Sequence, residues 1–140
     1  TANDVSLLLR TSGTTSAPKG VPLKQGQVVL NALLLGGTLE LTSDDICLNA
    51  MPLFHIGGLS ASIMATLAVG AQVTCLGSFS AADFAAALAQ EPRPTWYSAV
   101  PTIHMLVANH FRDSGEPPVH ALRFIRSGAA ALTTADHQRL

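Results

Sequence analysis

Charge is scarce in this 140-residue sequence, with Asp, Glu, Lys and Arg together making up 12% of it. Neither sign dominates, at 8 Lys+Arg against 9 Asp+Glu, so no basic surface for nucleic acid or anionic membrane is implied. Cysteine is almost absent. Cys47 and Cys75 each lie in a short apolar run, which excludes a secreted disulfide scaffold and predicts two reduced, buried thiols. Long apolar runs are also missing, because Gly, Ser and Thr interrupt them short of the roughly 20 residues a bilayer span needs. No signal peptide opens the chain, which begins Thr-Ala-Asn-Asp and ends at Leu140 inside a predicted helix. Both termini are expected to be cuts within a longer protein.

What the sequence does have is apolar content, 48% by residue, high for a domain of this length. The excess implies surface that something else covers. Along the chain, extended and helical patterns alternate. Val5 to Leu9 is strand-like, Thr11 to Gly20 is a polar loop, and Val21-Pro22-Leu23 is extended because Pro22 biases Val21 away from helical geometry. Gln25 to Leu41 carries apolar residues at helical spacing. Strands follow at Ile46–Ala50, Gln72–Leu76, Thr95–Val100 and Leu122–Arg126. Helices are predicted from about Gly58 to Leu67, Ala81 to Gln90 behind a Ser80 cap, Pro101 to Phe111, and from Thr133 or Thr134 onward. Short strands separated by helices predict an α/β fold with a mostly parallel sheet flanked by helices.

The segment Thr11-Ser12-Gly13-Thr14-Thr15-Ser16-Ala17-Pro18-Lys19-Gly20 concentrates hydroxyls, glycines and one lysine. Glycines let backbone N–H groups turn inward on an anion, hydroxyls add uncharged donors, and Lys19 adds a compact positive charge. A Walker-type loop is excluded, since that motif runs directly into a helix and Gly20-Val21-Pro22 cannot. The segment reads instead as a phosphate-gripping flap between two extended stretches; a polar loop without a ligand is the alternative.

These residues resemble the phosphate-binding signature of the adenylate-forming superfamily, which includes acyl-CoA synthetases, firefly luciferase and the adenylation domains of peptide synthetases. The family usually has Gly where this chain has Ser16. That Thr14-Thr15-Ser16 variant, with the following Pro-Lys-Gly-Val-Pro-Leu, is similar to the oxalyl-CoA synthetase branch. Two further segments match in family order. Met51-Pro52-Leu53-Phe54-His55-Ile56-Gly57-Gly58-Leu59 resembles the motif that lies beside the acyl group and the α-phosphate, which implies a positioning role for His55 and a substrate-side place for Gly57 and Gly58. An isolated histidine in such a run is more often structural. Ser127-Gly128-Ala129-Ala130-Ala131-Leu132, after its strand, resembles the small-residue turn that passes under the adenylate, with Ala131 where the family often has Pro. Thr95-Trp96-Tyr97-Ser98-Ala99-Val100-Pro101 resembles a wall of the acyl pocket. Trp96 reads as core packing, and strand alternation lets only one of Tyr97 and Ser98 face a given pocket. His104 has no partner that the sequence identifies.

The resemblance implies that Thr11 to Ser16, Lys19, Gly20 and Ser127 to Ala130 hold nucleotide, that Lys19 neutralises phosphate charge, and that Thr15 reaches Mg²⁺ through ATP. It implies ATP, Mg²⁺ and coenzyme A as co-substrates, a small carboxylic acid as partner, and a cytoplasmic location with the peroxisome as alternative. The family's later elements do not occur here: no Tyr-Gly-x-Thr-Glu segment, ribose-binding Asp motif, hinge or C-terminal domain. Residues 1 to 140 are therefore expected to be part of an N-terminal AMP-binding domain, inactive alone. The competing expectations are a carrier-protein-loading adenylation domain, and a non-catalytic truncated domain that self-associates through exposed apolar surface.

Overall fold

The structure, a computed structural model, describes residues 1–10, 18–115 and 118–140. Its centre is a parallel four-stranded sheet in the order β4-β3-β5-β6, formed by β3 (Ile46–Asn49), β4 (Gln72–Cys75), β5 (Trp96–Ala99) and β6 (Phe124–Ser127). Apart from it, β1 (Val5–Arg10) and β2 (Gly20–Lys24) form an antiparallel hairpin. The α/β class is as expected from the sequence. The separation of the first two strands into their own hairpin is an addition to it.

Topology decides which helices cover which face. The chain leaves β3 in one direction to reach β4, through a wide π-helical segment (Gly57–Met64) that continues into α2 (Ala65–Ala68). It then travels the other way, through α3 (Ala81–Ala89) to β5 and through α4 (Pro101–Ser114) to β6. Right-handed crossovers running in opposite directions place their helices on opposite faces. Accordingly Leu48, Tyr97 and Ala99 pack under α3 and α4 with Phe84, Leu88 and Val107. Cys47 and Trp96 pack on the other face with Ala65 and Leu41, next to α1 (Gln25–Thr38). The period-two alternation of each strand sorts its residues between the two cores.

Local signals account for the boundaries. Ser80 Oγ accepts the Asp83 amide at 3.0 Å and caps α3, while Pro101 stands in the first turn of α4, where its missing N–H is no loss. Gly115, at φ +70°, ends α4 in the left-handed conformation that Gly adopts readily. A short α5 (Thr134–His137) closes the described chain behind a Thr133 cap. Among the described residues, no helix is long and apolar enough to cross a membrane.

Two sequence expectations need correcting. Cys47 is fully buried, and burial pushes its thiol up to about 12, but Cys75 is exposed because β4 is an outermost strand. The helix after the Pro-Leu-Phe-His turn is not a plain α-helix: its first turns are widened from Gly57 to Met64 before ordinary geometry resumes. The apolar excess of the sequence has a location too. Leu33 and Leu34 on α1 are 54% and 59% exposed, and Leu8 and Val5 of the hairpin are exposed as well.

Candidate active site

In an open parallel sheet, ligands bind beyond the carboxyl ends of the strands where the strand order reverses, because diverging connections leave a crevice there. Here the reversal falls between β3 and β5. A cleft of 320 Å³ lies at that point, bounded by Met51 after β3, Ser98, Ala99 and Val100 of β5 and its end, and Arg126, Gly128 and Ala129 of β6 and its turn. Asn31 and Leu35 of α1, with Ile56, Gly57 and Ala61, form the remaining wall.

The polar groups of this cleft are few and specific. Ser98 is buried, and its Oγ accepts a hydrogen bond from Arg126 Nη1 at 2.9 Å. Gly128 makes that possible: a Cβ there would lie 3.0 Å from Arg126 Nη1. The adjoining Ala129 holds a left-handed φ of +66°, which turns the chain sharply at the end of β6. Asn31 Oδ1 accepts the Ser60 hydroxyl at 2.5 Å, tying α1 to the widened helix. Such wide turns recur at functional sites because they displace one wall of a cleft.

A second cleft, of 600 Å³, lies against the hairpin and is lined by Leu9, Arg10, Val21, Leu23, Phe54, His55 and Ile56. Ile56 borders both clefts. His55 is exposed on the Pro-Leu-Phe-His turn, its ring 4.6 Å from that of Phe54. Gly58 anchors this turn from behind, since a Cβ there would sit 2.6 Å from the Pro52 carbonyl oxygen. Arg10 and Gly20, the last residue of the phosphate-loop motif, pair at the end of the hairpin, and Arg10 lines the His55 cleft. Thr11, Ser12, Gly13, Thr14, Thr15 and Ser16 lie outside the described residues. Lys19, just beyond them, is exposed.

The structure thus brings Gly57, Ser98, Gly128 and Ala129 to one cleft and puts His55 in its neighbour. Ser127 and Ala130 flank the first cleft without lining it, and Gly58 is buried behind it. Tyr97 points to the other face of the sheet. There its ring packs edge-on against Phe84 at 4.9 Å, and its hydroxyl meets His104 Nδ1 at 3.2 Å. Burial raises the Tyr97 hydroxyl to about 12 and lowers the His104 imidazole, so this pair stays neutral inside the core near pH 7. Trp96 is buried on the α1 face, stacked on Phe124 at 5.4 Å. Sequence reasoning did not single out Arg126, Asn31 or Met51. The sequence did place Arg126 beside the small-residue turn, but Arg123 in the same run carries the same charge.

An α/β sheet with a crevice at its switch point and small residues at the strand end is the architecture in which open α/β sheets bind their ligands. The chain belongs to the AMP-binding enzyme family, whose profile matches residues 1–140. It is 40% identical over 140 residues to a probable CoA ligase of Humulus lupulus, covering 99% of this chain and 26% of that protein. An oxalate–CoA ligase of Arabidopsis thaliana is also 40% identical over 140 residues, with 99% of this chain and 27% of the relative covered. Among solved structures, a malonyl-CoA ligase in a ternary product complex with methylmalonyl-CoA and AMP superposes with a TM-score of 0.87. That match has 31% identity and covers 99% of this chain and 30% of the ligase. The chain therefore spans about a quarter of the length of the curated relatives it matches.

Proposed function

We propose that the intact protein is an AMP-forming acid–thiol ligase, of whose larger N-terminal nucleotide-binding domain residues 1 to 140 are one part. The observation that carries this reading is the cleft at the switch point, where Ser98, Gly57 and the Gly128-Ala129 turn converge beside the hairpin bearing the loop motif. In the reaction a carboxylate oxygen attacks the α-phosphorus of ATP, forming an acyl-adenylate as pyrophosphate leaves. The thiol of coenzyme A then attacks the acyl carbonyl, giving a thioester and releasing AMP.

The chemistry assigns these residues modest but definite tasks. A carboxylic acid is already ionised near pH 7, so no general base is required for the first step. The barrier lies in bringing two anions together, and the remedy is positive charge and alignment. Lys19 and the donors of the loop supply the charge, and His55 sets the angle of approach beside them. Among the described residues no cluster of His, Cys, Asp or Glu is arranged to hold a metal ion. Mg²⁺ would be carried by the phosphate oxygens of ATP, with Thr15 of the loop reaching it, and would offset phosphate charge. Relatives named for oxalate and for malonyl-CoA support a short acid and coenzyme A as acceptor.

The test is acid-dependent exchange of labelled pyrophosphate into ATP by the intact protein. Lys19→Ala combined with Thr14→Ala should lower it by about a thousandfold, the scale of losing several transition-state donors. An undiminished rate would end this reading. The isolated 140-residue chain should show no exchange. A panel of acids assayed with coenzyme A or a carrier protein as acceptor separates the ligase from a carrier-loading domain.

A second reading concerns the isolated chain. The outer face of α1, with Leu30, Leu33 and Leu34 exposed, favours self-association of two copies through that face. Size-exclusion chromatography tests it: Leu33→Glu should convert the assembly to a monomer, and a wild-type chain already monomeric rules it out.

A further inference from the structure

Among the described residues, Arg126 is the one charged side chain lining the cleft at the switch point. It is half-buried, and among the described residues it takes part in no ion pair. Among the described residues its side-chain hydrogen bond runs from Nη1 to the Ser98 hydroxyl. A guanidinium has five N–H donors in a planar fork, so the described residues leave most of its capacity unspent at a cleft it lines. Partly desolvated cations normally have a counter-charge supplied by the protein. This chain does so three residues earlier, where Arg123 pairs with Asp45 at 2.8 Å. At Arg126 none of the described residues supplies the counter-charge, while the Ser98 hydroxyl holds the guanidinium and Gly128, without a Cβ, leaves it room.

We propose that Arg126 is a specificity-determining residue that binds a second anionic group on the acid substrate, so that the enzyme selects short diacids over monocarboxylates of the same shape. The inference rests on the ligase reading above and refines its substrate class. The reacting carboxylate faces the hairpin and His55, and the second carboxylate forms a forked, charge-assisted contact with Arg126. A neutral isostere would leave the guanidinium dehydrated and unpaired, and sites built for a polar partner reject analogues that lack it.

The experiment compares matched pairs of acids in the intact protein, reading pyrophosphate exchange as kcat/KM. Oxalate is paired with isobutyrate, in which an isopropyl group replaces one carboxylate, and malonate with isovalerate. Wild type should prefer the diacid in at least one pair. Arg126→Met should lower kcat/KM for that diacid about 10- to 100-fold more than for its paired monoacid, the range for a lost charge-assisted contact. Arg126→Lys, which keeps charge but not the fork, should fall between. Equal losses for both members of a pair, as expected if Arg126 touches ATP instead, would overturn the proposal, as would no loss in either. If Arg126→Met fails to fold, Arg126→Lys carries the same comparison, and an unchanged diacid-to-monoacid ratio refutes it. Wild-type protein that activates no acid would sink the ligase reading itself, and this inference with it.

Discussion

The two rims of the parallel sheet are built from similar residues and do opposite things. At the amino-terminal rim, Asp45, Thr95 and Arg123 stand just before β3, β5 and β6. Asp45, 2% exposed, accepts from Arg123 Nε at 3.0 Å and Nη2 at 2.8 Å, from Thr95 Oγ1 at 2.6 Å and from the Thr42 amide at 2.9 Å. Thr95 Oγ1 in turn accepts the Ile46 amide at 2.9 Å. Donors and acceptors are closed on one another. At the carboxyl-terminal rim, Ser98 and Arg126 share one hydrogen bond, and among the described residues no anion pairs with this arginine, which lines a cleft. A satisfied network fixes the strands, and an unsatisfied one is free to bind. The comparison teaches that an arginine's role here depends on whether the chain supplies its anion.

If that division holds, substitutions at the closed rim should change stability and spare the catalytic constants, and those at the open rim should do the reverse. The largest expected effect is at Trp96, which sits just inside the closed rim, stacked on Phe124 beside Arg123. Trp96→Ala should destabilise by about 3–5 kcal/mol, the usual range for removing a buried aromatic. Chemical denaturation of the intact protein would show it as a lowered midpoint or a separated early transition. A midpoint within error of wild type would show that this core is not what holds the sheet.

Asp45→Asn comes next. It removes the charge but keeps the shape, and should cost about 1–3 kcal/mol by weakening hydrogen bonds to a buried group. It also carries a pH signature. Burial pushes the Asp45 carboxyl up, but the hydrogen bonds from Arg123, Thr95 and Thr42 outweigh it and hold the pKa below the usual carboxylate value. A folded-state pKa below the unfolded one means the stabilisation is present above the unfolded value, about 3.9, and is lost as pH falls through the folded value. The difference in stability between wild type and Asp45→Asn should therefore shrink below about pH 4. A difference that stays constant down to pH 3 would show that Asp45 is not charged in this network.

These cases also show what a sequence conveys. The order of strands and helices was legible because it is written locally, in the Ser80 cap, in Pro101 at a helix start and in the apolar spacing of each element. The three segments that form the clefts were legible for the same reason, as contiguous motifs. The closed rim was not. Asp45, Thr95 and Arg123 lie far apart in the chain, and only the parallel register of β3, β5 and β6 makes them neighbours. Arg123 and Arg126 look alike in Leu122-Arg123-Phe124-Ile125-Arg126. Which one is paired depends on which end of the strand it occupies. The widened helix at Gly57–Met64 left no distinctive mark either, since its small residues suit an ordinary helix equally well.

At the open rim the sharper probe is Gly128→Ala. The added methyl would lie 3.0 Å from Arg126 Nη1, so the guanidinium has to shift while the backbone need not. Activity toward the preferred acid should fall about tenfold, with selectivity eroded and thermal stability within about 0.5 kcal/mol of wild type, as for substitutions outside the core. Parallel loss of stability and activity would mean that the turn is structural first.

The smallest effect needs no activity at all, and it tests whether the two rims are independent. Cys47 lies buried on β3 next to the closed rim, while Cys75 is exposed on β4. With its thiol pushed up to about 12 by burial, Cys47 reacts only when the sheet opens locally. Under native conditions a thiol reagent should modify Cys75 at once and Cys47 slowly, at a rate set by that opening. Asp45→Asn should accelerate the slow phase about tenfold or more, since 1.4 kcal/mol of lost local stability corresponds to roughly a tenfold rise in the open population. Arg126→Met should leave it unchanged, because the variant keeps the backbone ladder between β5 and β6 and removes only the side-chain bond to Ser98. Equal acceleration by both variants, followed by mass spectrometry of the peptide containing Cys47, would mean that the rims open together and that the cleft is braced by the same network that closes the opposite end.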